Sequence, residues 1–547
     1  MLLMVLLNLP VSSKGPNLAV LPFEYSGPAE KESFAEGSVD DISRNFEKVS
    51  AVGIISSTSS AQYKRTNKRP RQIGEELGVD YFLTGAIRWD TAGKLAKIKI
   101  VPKLIRTSDE TEFWRDSFEI LDEELCSFPG TVVRQVTATL NVALLEPERR
   151  ALESCPTGNI QAYEYFVKGN LYFQSRVLSP MQKAAQMYQK AIELDSNFVL
   201  AYCMLSRCLT EIFGHYLSDF QAPAKQAADK ATRLQSDLPE VHLALAAYYY
   251  HIFEYDSATT HFSIASQGIP NNSDLWEEWG YMQRRQGLWH QAVANLERSL
   301  ELDPRDIVVN LEIAKTFLFL RDYKKSENYL NRAIAVAPGG IQPYADKLVL
   351  YVIWQGSTQK ARKVFRDAPK ELGLESHYLC DMIEGNYEKC FPKLTAADTA
   401  FERRRDYFMA NAFIFGLMNR IELMKTFYDS ALMILQKQAP TRDGDPDFHA
   451  ALSRAYAGVG HKEVAIREAL KARELMPVSK NAVLAPTYIQ NLAQVYTMVG
   501  EYDKAIDQLE YLFSIPSQIS PALLRLDPMW APLRGHARFQ KLINERS

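Results

Sequence analysis

Tyr250, Glu277, Tyr281, Arg284, Leu311 and Lys315 are the residues of this 547-residue chain whose types and spacing point to chemistry, and that chemistry is recognition. Tyrosine and arginine are the side chains that most often anchor interfaces. Tyr281 and Arg284 lie three apart, and Glu277 lies four before Tyr281, so a helix would present all three on one face. The same helical phase adds Glu240, Leu243 and Ala247 beside Tyr250, and Asp274 beside Glu277. It adds Val308 and Leu318 beside Leu311 and Lys315, and further on Arg454, Gln490 and Gln494.

No catalytic constellation competes with these. The chain has no G-x-x-x-x-G-K-[ST], no G-x-G-x-x-G after a strand, no H-E-x-x-H and no G-x-S-x-G, and it lacks the kinase signatures. His251 and His261 stand ten apart across a turn and would not share a helix face, so no metal site is expected. Adjacent acids such as Glu277 and Glu278 read as solvated or groove-lining carboxylates, not as an acid–base couple. The six cysteines form no C-x-x-C pair and are too sparse for a disulfide scaffold, so buried thiols are expected. The basic runs Lys64–Arg71 and 403–405 could meet phosphate or an anionic surface, but a solvated loop suffices for each. A formal net charge of -3 with both signs interspersed speaks against a general nucleic-acid binder. The expectation is therefore a protein without enzymatic activity, cofactor or metal, with protein or peptide partners.

The elements that would position these residues repeat. Pro270, Pro304 and Pro338 stand thirty-four apart, each closing one copy of a pattern. Leu245-Ala246, Ala258, Phe262 and Ala265 precede the first; Trp279-Gly280, Ala292, Leu296 and Ser299 the second; Ile313-Ala314, Ser326, Leu330 and Ala333 the third. Small residues fall where two helices must approach, large ones fill the space beside them, and proline ends the second helix. One such hairpin cannot bury its apolar face alone, so copies must stack. These residues resemble the tetratricopeptide repeat (TPR). The resemblance implies a right-handed superhelix whose concave groove, lined by the first helix of each repeat, holds an extended or helical partner segment. Degenerate copies extend the array to about ten repeats over 161–516, and 517–547, with Trp530 and Phe539, reads as a capping segment.

Ahead of the array, 17–146 reads as an α+β domain of order β-α-β-α-β-β-β-α. Leu18–Phe23 and Gly53–Ser56 are strands; Glu32–Phe46 and Gln72–Leu77 are helices, the latter ended by Gly78. Ile98, Ile100 and Leu104 alternate with Lys97, Lys99 and Lys103 as a half-buried strand does, and Thr91-Ala92-Gly93 would turn the hairpin before it. Ala19–Phe23, Phe34–Gly37, Ser59–Tyr63, Gln72–Val79, Tyr81–Gly85 and Phe113–Asp116 resemble the TolB-like amino-terminal domain. That resemblance implies an assembly or sensing module, of a kind often attached to bacterial adenylate cyclases or serine/threonine kinases, and supplies no catalytic residue. Residues 147–160 read as a linker. Residues 1–16 are an apolar leader, readable as a secretory signal, the end of a membrane helix or a dispensable extension. A membrane-associated or periplasmic location is the expectation, with the cytoplasm as the alternative.

Overall fold

The computed structural model describes residues 15–90, 97–121, 124–215, 218–372, 378–392, 401–438 and 442–545. The leader up to residue 14 and the turn at Thr91-Ala92-Gly93 lie outside them. The chain forms two compact units, 1–282 with 294–306, and 283–293 with 307–547.

The first unit begins with a mixed sheet. Its elements are β1 (Asn17–Val20), β2 (Glu24–Ser26), α1 (Ala29–Phe46), β3 (Gly53–Ile55), α2 (Ser57–Ala61), α3 (Pro70–Leu77), β4 (Tyr81–Asp90), β5 (Lys97–Arg106), β6 (Glu112–Arg115), β7 (Phe118–Leu121) and α4 (Phe128–Thr139). β1 lies parallel between β3 and β4, and β4 pairs antiparallel with β5 from Tyr81↔Arg106 to Asp90↔Lys97. β6 and β7 each pair with a different half of β5. Strand alternation sends Leu18, Val20, Ile54 and Leu83 to the face covered by α1 and α4. Ala19, Leu21, Ile55 and Phe82 go to the other, under Ile73 and Leu77 of α3. Gly78 ends α3 at φ 68°, a left-handed position that favours glycine.

The first half of 147–160, expected to be a linker, is helical: α5 spans Glu146–Glu153. Pro147 sits in its first turn, where no intrahelical N–H is needed. The buried Glu148 accepts hydrogen bonds from the Leu145 and Ser50 N–H groups, at 2.9 Å each, and from the Ser50 hydroxyl at 2.7 Å. Cys126 and Cys155, expected to be separate buried thiols, form a disulfide with Cα atoms 5.6 Å apart, joining the start of α4 to the end of α5. Their pairing depends on how the two helices pack, which no cysteine spacing encodes.

Helical hairpins follow in the same unit: α6 (Ile160–Phe173) with α7 (Leu178–Leu194), α8 (Val199–His215) with α9 (Gln221–Leu234), and α10 (Pro239–His251) with α11 (Tyr255–Gly268). Pro180 and Pro223 lie in the first turns of α7 and α9. Tyr163 and Phe166 of α6 join the core begun by Leu18 and Phe34, so the sheet and the first repeats share one apolar interior. α12 (Ser273–Arg285) and α13 (Trp289–Leu302) supply residues to both units. Phe262 stacks on Trp279 at 5.8 Å, while Ala246 and Ala258 are fully buried at the crossings.

The second unit continues with α14 (Ile307–Phe319), α15 (Tyr323–Val336), α16 (Ile341–Gln355), α17 (Thr358–Arg366), α18 (Tyr378–Ile383), α19 (Phe401–Leu417), α20 (Ile421–Gln438), α21 (Pro446–Val459), α22 (Lys462–Leu475), α23 (Ala485–Met498) and α24 (Tyr502–Ser514). α25 (Pro521–Leu526), a 3-10 turn and α26 (Ala537–Glu545) close it. Trp530, Leu533 and Phe539 are fully buried there, covering the apolar face that the last hairpin would otherwise expose. Pro270, Pro304 and Pro338 each fall two residues past the end of a helix. The chain is thus an α+β domain followed by a solenoid of stacked helical hairpins. Among the described residues no helix is long and apolar enough to cross a membrane.

Candidate functional site

The first unit spends much of its recognition chemistry on itself. Arg176, held at φ 50° after α6, donates from both terminal nitrogens to the Glu277 carboxylate at 2.6 Å each. Arg207 of α8 donates to Glu278 at 2.6 Å and to Asp274 at 3.2 Å. The Tyr281 hydroxyl donates to Glu277 at 2.8 Å. Burial opposes the charge on Asp274, but Arg207 and Arg176 outweigh it and hold that carboxyl below its ordinary range. Burial raises Glu277, and pushes Glu278 up to about 7, against the pull of their arginine partners. Tyr250 is buried in the cluster that holds Trp276 and Trp279.

The face formed by the first repeats is also occupied. Lys31 of α1 pairs with Glu164 at 3.0 Å, Tyr163 donates to Asp41, and Lys48 stands 3.5 Å from Glu240. Asn271, in the turn after α11, donates from Nδ2 to the Val49 and Val52 carbonyls at 2.8 Å each. Ser56 N–H donates to the Leu302 carbonyl at 2.7 Å, and the Ser59 hydroxyl to Asp303. Burial, then Asp306, pushes the Asp303 carboxyl up to about 7. Gly37 of α1 permits this approach: a Cβ there would lie 1.9 Å from Val167 Cγ1. Asn271, Asp303 and Gly37 were not among the expected site residues. A polar side chain in an inter-repeat turn reads locally as a cap.

The second unit offers an open surface. A cavity of about 420 Å³ is lined by Val308, Leu311, Lys315 and Leu318 of α14 and by Gln342, Asp346, Val349 and Leu350 of α16. Apolar side chains form its floor, with one cation, Lys315, and two carboxylates, Glu312 and Asp346, in its lining. Lys315 keeps 45% of its side chain exposed and stands 3.7 Å from Glu312. Burial raises the Asp346 carboxyl, and Gln342 donates to it at 2.8 Å. Arg284 is buried below, donating to the Glu312 carbonyl and the Thr316 hydroxyl at 3.0 Å each and to the Glu312 carboxylate. Its guanidinium therefore fixes α14 in place. Leu311 and Lys315 lie together on one wall; Arg454 is exposed, and Gln490 and Gln494 are half-buried. Asp346 and Val349 were missed, because the spacing past Pro338 blurs and leaves the phase of α16 unfixed.

Residues 13–134 match the family model described as HilA/YgeH-like transcriptional regulator, second domain. Residues 239–306 match YpiA-like, C-terminal tetratricopeptide repeats, so those hairpins are tetratricopeptide repeats. The chain is 29% identical over 237 residues to "Putative adenylate cyclase 3" of Rhizobium meliloti (strain 1021), covering 42% of this chain and 40% of that protein. It is 26% identical over 156 residues to anaphase-promoting complex subunit 3 of Schizosaccharomyces pombe, covering 28% of this chain and 23% of that protein. The chain thus spans well under half the length of these curated relatives. Among solved structures, a thermophilic TPR protein of Thermus thermophilus aligns at 14% identity and a TM-score of 0.30, over 35% of this chain and 99% of that one. Human IFIT1, solved as a dimer with m7Gppp-AAAA, aligns at 13% identity and a TM-score of 0.35, over 71% and 77%.

Proposed function

We propose that this chain is a non-enzymatic interaction scaffold that holds a partner peptide or helix against α14 and α16. The observation that carries the reading is the cavity lined by Leu311, Lys315, Asp346 and Val349. It has an apolar floor for a helix or strand face, and Lys315 with the carboxylates Glu312 and Asp346 to fix its register. Tyr250, Glu277 and Tyr281 belong to the first unit, where Tyr250 is buried and Glu277 is already held by Arg176 and Tyr281. The amino-terminal domain, TolB-like by its resemblance, acts as the assembly or regulatory module. Peptides selected by display against the full chain test this. The paired change Leu311→Asp and Lys315→Glu is expected to weaken a selected peptide at least about tenfold, roughly 1.4 kcal/mol, with the melting temperature unchanged. Equal affinity would overturn the site.

A second reading is favoured by the cyclase-named relative and by the regulator-type family model over 13–134. In it the chain is the regulatory portion of a signalling protein whose effector lies on another segment or another chain. This reading requires that a joined effector change its output when the peptide surface is occupied. A constant output would count against it.

A further inference from the structure

A second cavity, of about 310 Å³, lies inside the first unit where α1 faces the helices α6, α8 and α10. Arg44 of α1 and Lys48, two residues past the end of that helix, line it, together with Arg207 of α8. Arg44 uses only its Nε, which donates to Asp40 at 3.1 Å and stands 3.6 Å from Asp41. Its Nη1 and Nη2 have no partner among the described residues, although 30% of the side chain remains accessible. Lys48 stands 3.5 Å from Glu240, too long for a good hydrogen bond, and its charge also acts on the Asp41 carboxylate. A guanidinium with four N–H donors turned to a cavity can donate to the oxygens of an anion there.

The carboxylates present do not cancel this. Asp40 and Asp41 meet Arg44 on its Nε side, and Asp41 also accepts the Tyr163 hydroxyl. Glu240 faces Lys48, and Asp274 and Glu278 are held by Arg207. Glu47 accepts from Asn272 at 2.8 Å, and burial, opposed by Arg44, pushes its carboxyl up to about 8. Burial thus favours the neutral form of Glu47, which can donate its O–H. The opposite wall is apolar, with Phe166, Leu200, Met204 and Leu243. The volume lies at the small end of the roughly 300–1,000 Å³ of small-molecule sites.

We infer that this cavity binds a small organic anion, a carboxylate or phosphate monoester on an apolar body of one ring or a short chain. The anionic group sits on Arg44 and Lys48 and the body on the Leu200–Leu243 wall. Because α1 and the repeats both line the cavity, the ligand would tighten the seating of the amino-terminal domain.

The test is calorimetric titration of the full chain at pH 7 with benzoate, phenyl phosphate and inorganic phosphate, and with benzamide as the uncharged isostere. One saturable site is expected for benzoate or phenyl phosphate, at least about tenfold tighter than for benzamide; which of the two binds distinguishes a carboxylate from a phosphate ligand. Inorganic phosphate, lacking a body, is expected to bind more weakly than either. Arg44→Lys, which keeps the charge that faces Asp40 and Asp41, is expected to cost about tenfold by losing the fork. Leu200→Trp, which fills the cavity, is expected to abolish binding while the melting temperature holds. Affinity is expected to fall from pH 7 to pH 9 as Glu47 releases its proton beside the anion. No binding at about 10 mM ligand, equal binding of benzamide, or binding unchanged in Leu200→Trp would each overturn the inference. The site shares no residue with the peptide surface of α14 and α16, so either can fail alone.

Discussion

Asn271→Ala is the sharpest test of the seating of α1 on the repeats. Asn271 is 4% exposed, and its Nδ2 donates to the carbonyls of Val49 and Val52, both fully buried residues. Its Oδ1 also accepts from Arg298 at 3.2 Å. Alanine leaves those carbonyls without their donor, and each such loss costs about 1–3 kcal/mol. Val49 keeps a long 3.5 Å contact from the Val52 N–H, which offsets part of its share. A total of about 2–4 kcal/mol is the working figure, equivalent to roughly thirty- to several-hundred-fold in an opening equilibrium. The assay is native-state hydrogen exchange over residues 47–56, which reports local opening rather than unfolding of the whole two-unit chain. Asn271→Asp is expected to be worse than alanine, because it points carboxylate oxygens at two carbonyls and adds a buried charge beside Glu47. Protection unchanged within about threefold, roughly 0.7 kcal/mol, or the aspartate variant milder than the alanine one, would refute the reasoning.

Gly37→Leu places a side chain where even a Cβ would lie 1.9 Å from Val167 Cγ1, and is expected to lower the stability of the first unit by about 1–3 kcal/mol in a urea titration. Ala258→Leu overpacks a fully buried crossing in α11, with an expected cost of about 1–3 kcal/mol; a neutral melt would put the repeat phase in error. The Asp303 carboxyl is held at about 7 against an ordinary 3.8, so the folded state keeps a proton that the unfolded chain has released. The stability this contributes is complete below the ordinary value and is lost as pH rises toward 7, at up to about 1.4 kcal/mol per pH unit. Melting at pH 5 and pH 8 checks it: Asp303→Asn is expected to flatten the decline, and an unaltered decline would count against Asp303 as its source.

The repeat was legible in the sequence because its signals are local. Proline stops a helix wherever it falls two residues past the last turn, and Ala246, Ala258 and Ala314 mark close crossings without knowledge of the partner helix. The half-buried alternation of β5 was legible for the same reason: Ile98, Ile100 and Leu104 are fully buried while Lys97 and Lys99 are exposed. The seating of α1 was not, because Asn271 and Val49 are 222 positions apart and Ser59 and Asp303 are 244 apart. No period links them. Helix phase named Glu240, Leu243 and Tyr250 as one face but could not say that the protein's own domain lies against Glu240. Pro147 read as a breaker although it opens a helix, since one residue type serves both positions.

Hydrogen-exchange footprinting of the full chain with a display-selected peptide bound tests the central claim most directly. The account predicts new protection over residues 308–318 and 342–350, the two walls of the cavity, and none over residues 240–251 and 273–282, whose acids Glu240, Glu277 and Glu278 are already paired with Lys48, Arg176 and Arg207. Protection confined to residues 240–251 and 273–282 would contradict it.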